Sequence, residues 1–163
     1  MTFNIFNHEV VIQEVPNEIS LSFSVVGCTL NCPGCSWEGI RKNEPYEELT
    51  DKKYIDLLEK YRGLCSCVLF YGGEWHEEKL KEFLILAKDY DFKTCLYTGL
   101  DEISLSLMKH LDYLKTGPYI EAMGGLDSAT TNQKFYDLTL KKSLNHYFLK
   151  KSIAKEDKVI FDS

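Results

Sequence analysis

Cys65 to Tyr97, CSCVLFYGGEWHEEKLKEFLILAKDYDFKTCLY, decides the fold of this chain. Cys65 to Tyr71 is a short apolar run that stops on two glycines, as a buried strand does. Over His76 to Tyr90, Leu80, Phe83, Leu84 and Ala87 recur at the spacing of one helix face. Phe92 to Tyr97 is again a short apolar run. A strand, a helix and a second strand in this order argue for a right-handed crossover between parallel strands.

The pattern extends in both directions. Ser20 to Val26 reads as an earlier strand. Thr50 is a candidate N-cap for a helix to Tyr61, with Tyr54, Leu57, Leu58 and Tyr61 on one face and Gly63 beyond its end. Asp101 to His110 predicts a third helix whose two leading acids suit the positive helix end, and Asp112 to Lys115 a fourth strand. Val10 to Val15 reads as an extra antiparallel edge strand. The expected fold is α/β: an open partial (β/α) barrel with a mostly parallel sheet of about four or five strands.

The chain has 163 residues, short of the roughly 250 of a complete eightfold barrel, so a single domain over 1–163 is expected. Within it, residues 134–163 form a lysine-rich C-terminal segment, with seven Lys against three acids over 134–158. A solvated surface is the simplest reading of that charge. The overall formal charge of −6 disfavours sequence-independent binding to a polyanion, so no nucleic acid partner is expected. No apolar run reaches the ~20 residues of a membrane helix, and MTFNIFNHEV lacks the basic and apolar regions of a secretory leader. No membrane partner is expected, and the expected compartment is the cytoplasm.

In a parallel α/β sheet, ligands bind outside the carboxyl ends of the strands. The segments after the four expected strands are GCTLNCPGCSW, GGEW, TGLDE and TGPY. The first carries Cys28, Cys32 and Cys35, close enough to converge on one centre. Cys65, Cys67 and Cys95 read instead as strand filler, with Cys65 and Cys67 on the same face as Leu69 and Tyr71. Structural zinc usually takes four ligands, and the nearby chain offers no obvious fourth. A four-iron cluster held by three cysteines keeps one iron open to a substrate or cofactor. No Ser-His-Asp set or paired-carboxylate site is recognisable, so hydrolysis has no candidate residues.

Cys28-Thr29-Leu30-Asn31-Cys32-Pro33-Gly34-Cys35 resembles the signature of the radical S-adenosylmethionine (SAM) enzymes. Its CPGC ending resembles that of the activating proteins of anaerobic ribonucleoside-triphosphate reductase. Gly72-Gly73-Glu74 matches the GGE motif of that family, and Tyr97-Thr98-Gly99, Thr116-Gly117-Pro118-Tyr119 and Thr131-Asn132-Gln133 resemble its later segments. The resemblance covers roughly residues 20 to 135. The chain departs from it at Ser36, where related activases often carry an aromatic or histidine, at Val15-Pro16-Asn17-Glu18 in place of Gly-Pro-Gly, and at Thr116 in place of Asp.

The resemblance implies a [4Fe-4S] cluster on Cys28, Cys32 and Cys35 and SAM as second cofactor. It implies reductive cleavage of SAM to a 5′-deoxyadenosyl radical, which installs a glycyl radical on anaerobic ribonucleoside-triphosphate reductase. An electron donor such as flavodoxin would supply the electron. Glu74 would hold the methionyl ammonium. Gly72 and Gly73, lacking side chains, would let the strand end approach the methionine. Gly34, Cys35 and Ser36 would lie against the adenine, with Trp37 a candidate cover, and Thr98, Asn132 and Gln133 would add polar contacts. No catalytic residue is implied beyond the cluster and cofactor. Two other readings stay open: a radical SAM enzyme acting on a small molecule, and a non-catalytic iron-sulfur electron-transfer protein.

Overall fold

The computed structural model describes residues 3–27 and 45–149. Their strands are β1 (Asn4–Ile12), β2 (Ile19–Val25), β3 (Glu47–Glu48), β4 (Cys67–Tyr71), β5 (Lys93–Tyr97), β6 (Tyr113–Thr116), β7 (Lys134–Asp137) and β8 (Lys142–Ser143). The α-helices are α1 (Asp51–Tyr61), α2 (Glu77–Asp89) and α3 (Leu105–Met108). The strands form one sheet in the order β3-β1-β2-β4-β5-β6-β7-β8.

The expected partial barrel with a mostly parallel sheet is therefore incorrect. β2, β4, β5 and β6 are parallel neighbours, as the Cys65 to Tyr97 pattern implies. The flanking pairs, β1 with β2 and β3, β6 with β7, and β7 with β8, are antiparallel, four of the seven pairings. For two of these pairs the physical reason is connection length. Residues 13–18 between β1 and β2, and 138–141 between β7 and β8, are too short for a parallel crossover and can only turn the chain back. Gln13, Asn17 and Lys141 take positive φ in these turns. The strand expected at the edge over Val10–Val15 is antiparallel to β2, but it spans Asn4–Ile12 and lies between β3 and β2 instead of at the edge, and Val15 is a buried residue of the following turn.

Side-chain alternation divides the sheet into two faces. Leu21, Phe23 and Val25 of β2, Val68 and Phe70 of β4, Leu96 and Leu114 join Tyr54, Leu57 and Leu58 of α1, Leu80, Phe83, Leu84 and Ala87 of α2, and Leu107 of α3 in the larger core. Phe23, Phe70 and Phe83 stack in sequence at 5.2 and 6.3 Å between centroids. The Tyr54 hydroxyl, buried among them, donates to the Phe83 carbonyl at 2.7 Å. The opposite face gathers Val15, Cys67, Leu69, Cys95, Tyr113, Phe135 and Leu144 beside the buried Ser20, Ser22 and Ser24.

The helices follow local chemistry. Thr50 caps α1, its side chain accepting from the Lys53 N–H at 3.2 Å. α2 buries the four residues its periodicity singles out. The third helix is a single turn, because Ser104, whose side chain accepts from the Leu107 N–H, starts it past Asp101 and Glu102. Cys65 and Cys67 do not share a face. β4 begins at Cys67, which enters the face opposite the helices, while Cys65 sits before the strand in the helix-side core. No described helix is long and apolar enough to cross a membrane.

Candidate functional site

The parallel block places the carboxyl ends of β2, β4, β5 and β6 along one edge of the sheet. The chain leaves β4 through Gly72 and Gly73, at φ 87° and 109°, backbone that glycine adopts without strain. Glu74 opens a 3-10 turn over Glu74–His76 that runs into α2. From there its carboxylate reaches the next strand end, where the Thr98 hydroxyl donates to Glu74 Oε1 at 2.6 Å. Thr98 Oγ1 also accepts from the Leu100 N–H at 3.1 Å, which fixes the rotamer that makes the contact. Glu74 Oε2 is buried and has no hydrogen-bond partner among the described residues. Burial pushes the Glu74 carboxyl above its ordinary range, against the hydrogen bond from Thr98 and the charge of Lys115, which pull it down.

Lys115 joins the loops after β5 and β6: its ammonium donates to the Gly117 carbonyl at 3.1 Å and reaches the Thr98 carbonyl at 3.5 Å. Backbone bonds seal the same seam, from Thr98 N to the Lys115 carbonyl at 2.9 Å and from Gly117 N to the Leu100 carbonyl at 2.7 Å. Gln133 is buried and donates from Nε2 to the Gly117 carbonyl at 3.3 Å, while Asn132 Nδ2 donates to the Pro118 carbonyl at 3.0 Å. A carbonyl only accepts, so this bond fixes which way the Asn132 amide faces. Its Oδ1 is a buried acceptor without a partner among the described residues.

Glu74, Thr98, Asn132 and Gln133 thus lie along connected strand ends, linked through Lys115 and Gly117. The two glycines also have a packing role. A Cβ at Gly72 would sit 2.5 Å from Trp75 Cη2, and one at Gly73 would sit 3.2 Å from Phe3 Cζ and 3.5 Å from Val25 Cγ2. On the side where a Cβ would project, the room left by both glycines is taken by the protein's own side chains. Cys28, Cys32, Cys35, Gly34, Ser36 and Trp37 lie outside the described residues.

Cys65, Cys67 and Cys95 are buried free thiols, each pushed up by burial and so held away from the thiolate that binds metal. No group of three potential metal ligands occurs among the described residues. Lys115 and Trp75 are the site-forming residues that the motif reading passed over. Lys115 alternates with apolar neighbours as any strand residue would, and only the register opposite Tyr97 brings it to this edge. Comparison of the chain with protein-family models, curated proteins and solved structures finds no match.

Proposed function

We propose that this protein is an iron-sulfur enzyme that cleaves S-adenosylmethionine reductively and installs a glycyl radical on a partner enzyme, anaerobic ribonucleoside-triphosphate reductase. The observation that carries the reading is Glu74 Oε2, a buried acceptor with no partner among the described residues, at the carboxyl end of a parallel strand. A buried carboxylate of this kind calls for a cation with N–H donors, and the methionyl ammonium of SAM is one. Thr98 orients the carboxylate for that contact. Asn132 Oδ1 offers a second fixed acceptor to a donor on the same ligand. In this reading Cys28, Cys32 and Cys35 hold the cluster, and Gly34, Cys35 and Ser36 lie against the adenine. The bound cluster and SAM supply one-electron cleavage of the sulfonium and hydrogen-atom abstraction. The chain's own residues bind and orient the ligand and exclude competing reactions.

Electron paramagnetic resonance on an anaerobic mixture of reconstituted protein, SAM, reductant and the co-encoded reductase tests the reading. A doublet that collapses when the reductase carries glycine deuterated at Cα is expected. SAM cleavage without a radical on the partner would favour a small-molecule enzyme. No cleavage under strong reduction would overturn the proposal. Cys28→Ala, Cys32→Ala and Cys35→Ala are each expected to lose the four-iron cluster, whereas Cys67→Ala and Cys95→Ala keep it, as measured by iron and sulfide content.

A further inference from the structure

β2 and β4 pair as far as Ser24 opposite Tyr71. Beyond that pair the β2–β4 ladder ends, one chain continuing through Val26 and Gly27 and the other through Gly72 and Gly73, while Val26 N stays bonded to the Asn4 carbonyl and Gly72 N to the Tyr97 carbonyl, both at 2.9 Å. Trp75 spans the gap. Its indole Nε1 donates to the Val26 carbonyl at 3.1 Å. The same end of the ring lies against Gly27, where a Cβ would be 3.0 Å from Nε1, and the other end lies against Gly72, where a Cβ would be 2.5 Å from Cη2. A smaller ring would release one side, and a side chain on either glycine would displace the indole.

We infer that Trp75 is a positioning residue that sets the separation between the chain at Gly27, after which the three-cysteine segment begins, and the Glu74 carboxylate that adjoins the indole in sequence. The consequence for ligand binding rests on the SAM reading above; the clamp itself rests on the indole contacts. Holding two binding groups at a fixed separation raises affinity because less freedom is lost when the ligand joins them. A tryptophan that only filled the core would bind its surroundings through area, and phenylalanine would replace much of that area. Only the indole N–H can hold the Val26 carbonyl.

Trp75→Phe separates these roles, because it keeps an aromatic ring in the core while removing both the N–H and the far end of the indole that reaches Gly72. In the variant, the amides of Val26 and Gly72, bonded to the Asn4 and Tyr97 carbonyls, are expected to exchange with deuterium about tenfold faster. Those of Val68 and Leu96, inside the sheet, are expected to change less than about twofold. Unchanged exchange at Val26 and Gly72 would overturn the clamp, whatever the protein binds. In anaerobically reconstituted protein, Trp75→Phe is expected to keep its iron, bind SAM about tenfold more weakly and lose the SAM-induced change in the cluster's electron paramagnetic resonance. Wild-type SAM affinity and spectrum in the variant would overturn the positioning role. Absence of SAM binding by the wild-type protein would instead count against the proposed function, and the exchange result would still decide the clamp.

Discussion

Two carboxylates at opposite ends of the parallel block receive opposite treatment. Asp112, where the chain enters β6, accepts from Lys88 Nζ at 2.8 Å, from the Thr94 N–H at 2.9 Å and from the Thr94 hydroxyl at 3.3 Å, and the Thr139 hydroxyl reaches it at 3.4 Å. Burial alone would raise its carboxyl, but the Lys88 hydrogen bond and the Thr94 N–H outweigh burial and hold it below the ordinary aspartate value. Glu74, where the chain leaves β4, has the Thr98 hydroxyl on one oxygen and no partner on the other among the described residues, and burial wins. A carboxylate satisfied by its own chain ties strands together. One left half satisfied lowers stability and keeps binding capacity for something the chain does not supply.

That contrast can be broken from either end. The largest effect is expected from Asp112→Ala, which frees Lys88 and leaves the Thr94 N–H without its acceptor; it should cost roughly 2–3 kcal/mol in urea denaturation. A loss below about 0.5 kcal/mol would show that the Asp112 network is not a tie. Glu74→Gln should act with the opposite sign, gaining on the order of 1 kcal/mol at neutral pH because an unpaired buried charge is removed. The same variant should bind SAM at least about tenfold more weakly by equilibrium titration. Lost stability without lost affinity would make Glu74 a structural residue.

The pH dependence of stability sharpens the comparison. The folded carboxyl of Asp112 lies below its unfolded value, so its contribution is present above the ordinary aspartate range and disappears as pH falls through the folded value. Glu74 lies above its unfolded value, so its contribution is present below the ordinary glutamate range and is lost as pH rises through the folded value. Subtracting the stability profile of each Ala or Gln variant from that of the wild type should give curves of opposite slope. The smallest effect is expected from Thr139→Val, which removes only the long contact to Asp112 and should change stability by about 0.5 kcal/mol or less in the same denaturation.

The two faces of the sheet show why some residues were legible and others were not. Leu21, Phe23 and Val25 alternate with Ser20, Ser22 and Ser24 within the strand expected over Ser20 to Val26, and both sets are buried. The residues gathered on the serine face, such as Val15, Phe135 and Leu144, come from distant parts of the chain, so only the tertiary structure brings them to one face. Cys65 and Cys67 were placed together by a period of two, which holds only inside a strand. The chain has not yet entered β4 at Cys65, where its backbone instead follows the end of α1.

What the amino-acid order determined by itself is the central strand-helix-strand succession, the Thr50 cap, the buried faces of α1 and α2, and the placement of Glu74 and Thr98 just beyond strands. These follow from periodicity, capping and glycine preferences that act over a few residues. Only the tertiary structure decided that antiparallel strands flank the parallel block, that Gly72 and Gly73 make room for Trp75 and Phe3, and that Lys115 lies beside Thr98. It alone decided that Asp112 is fully engaged while Glu74 Oε2 is not. Each of these depends on which distant segment arrives at a given edge, and a side chain's partners and burial come into being only with that arrival.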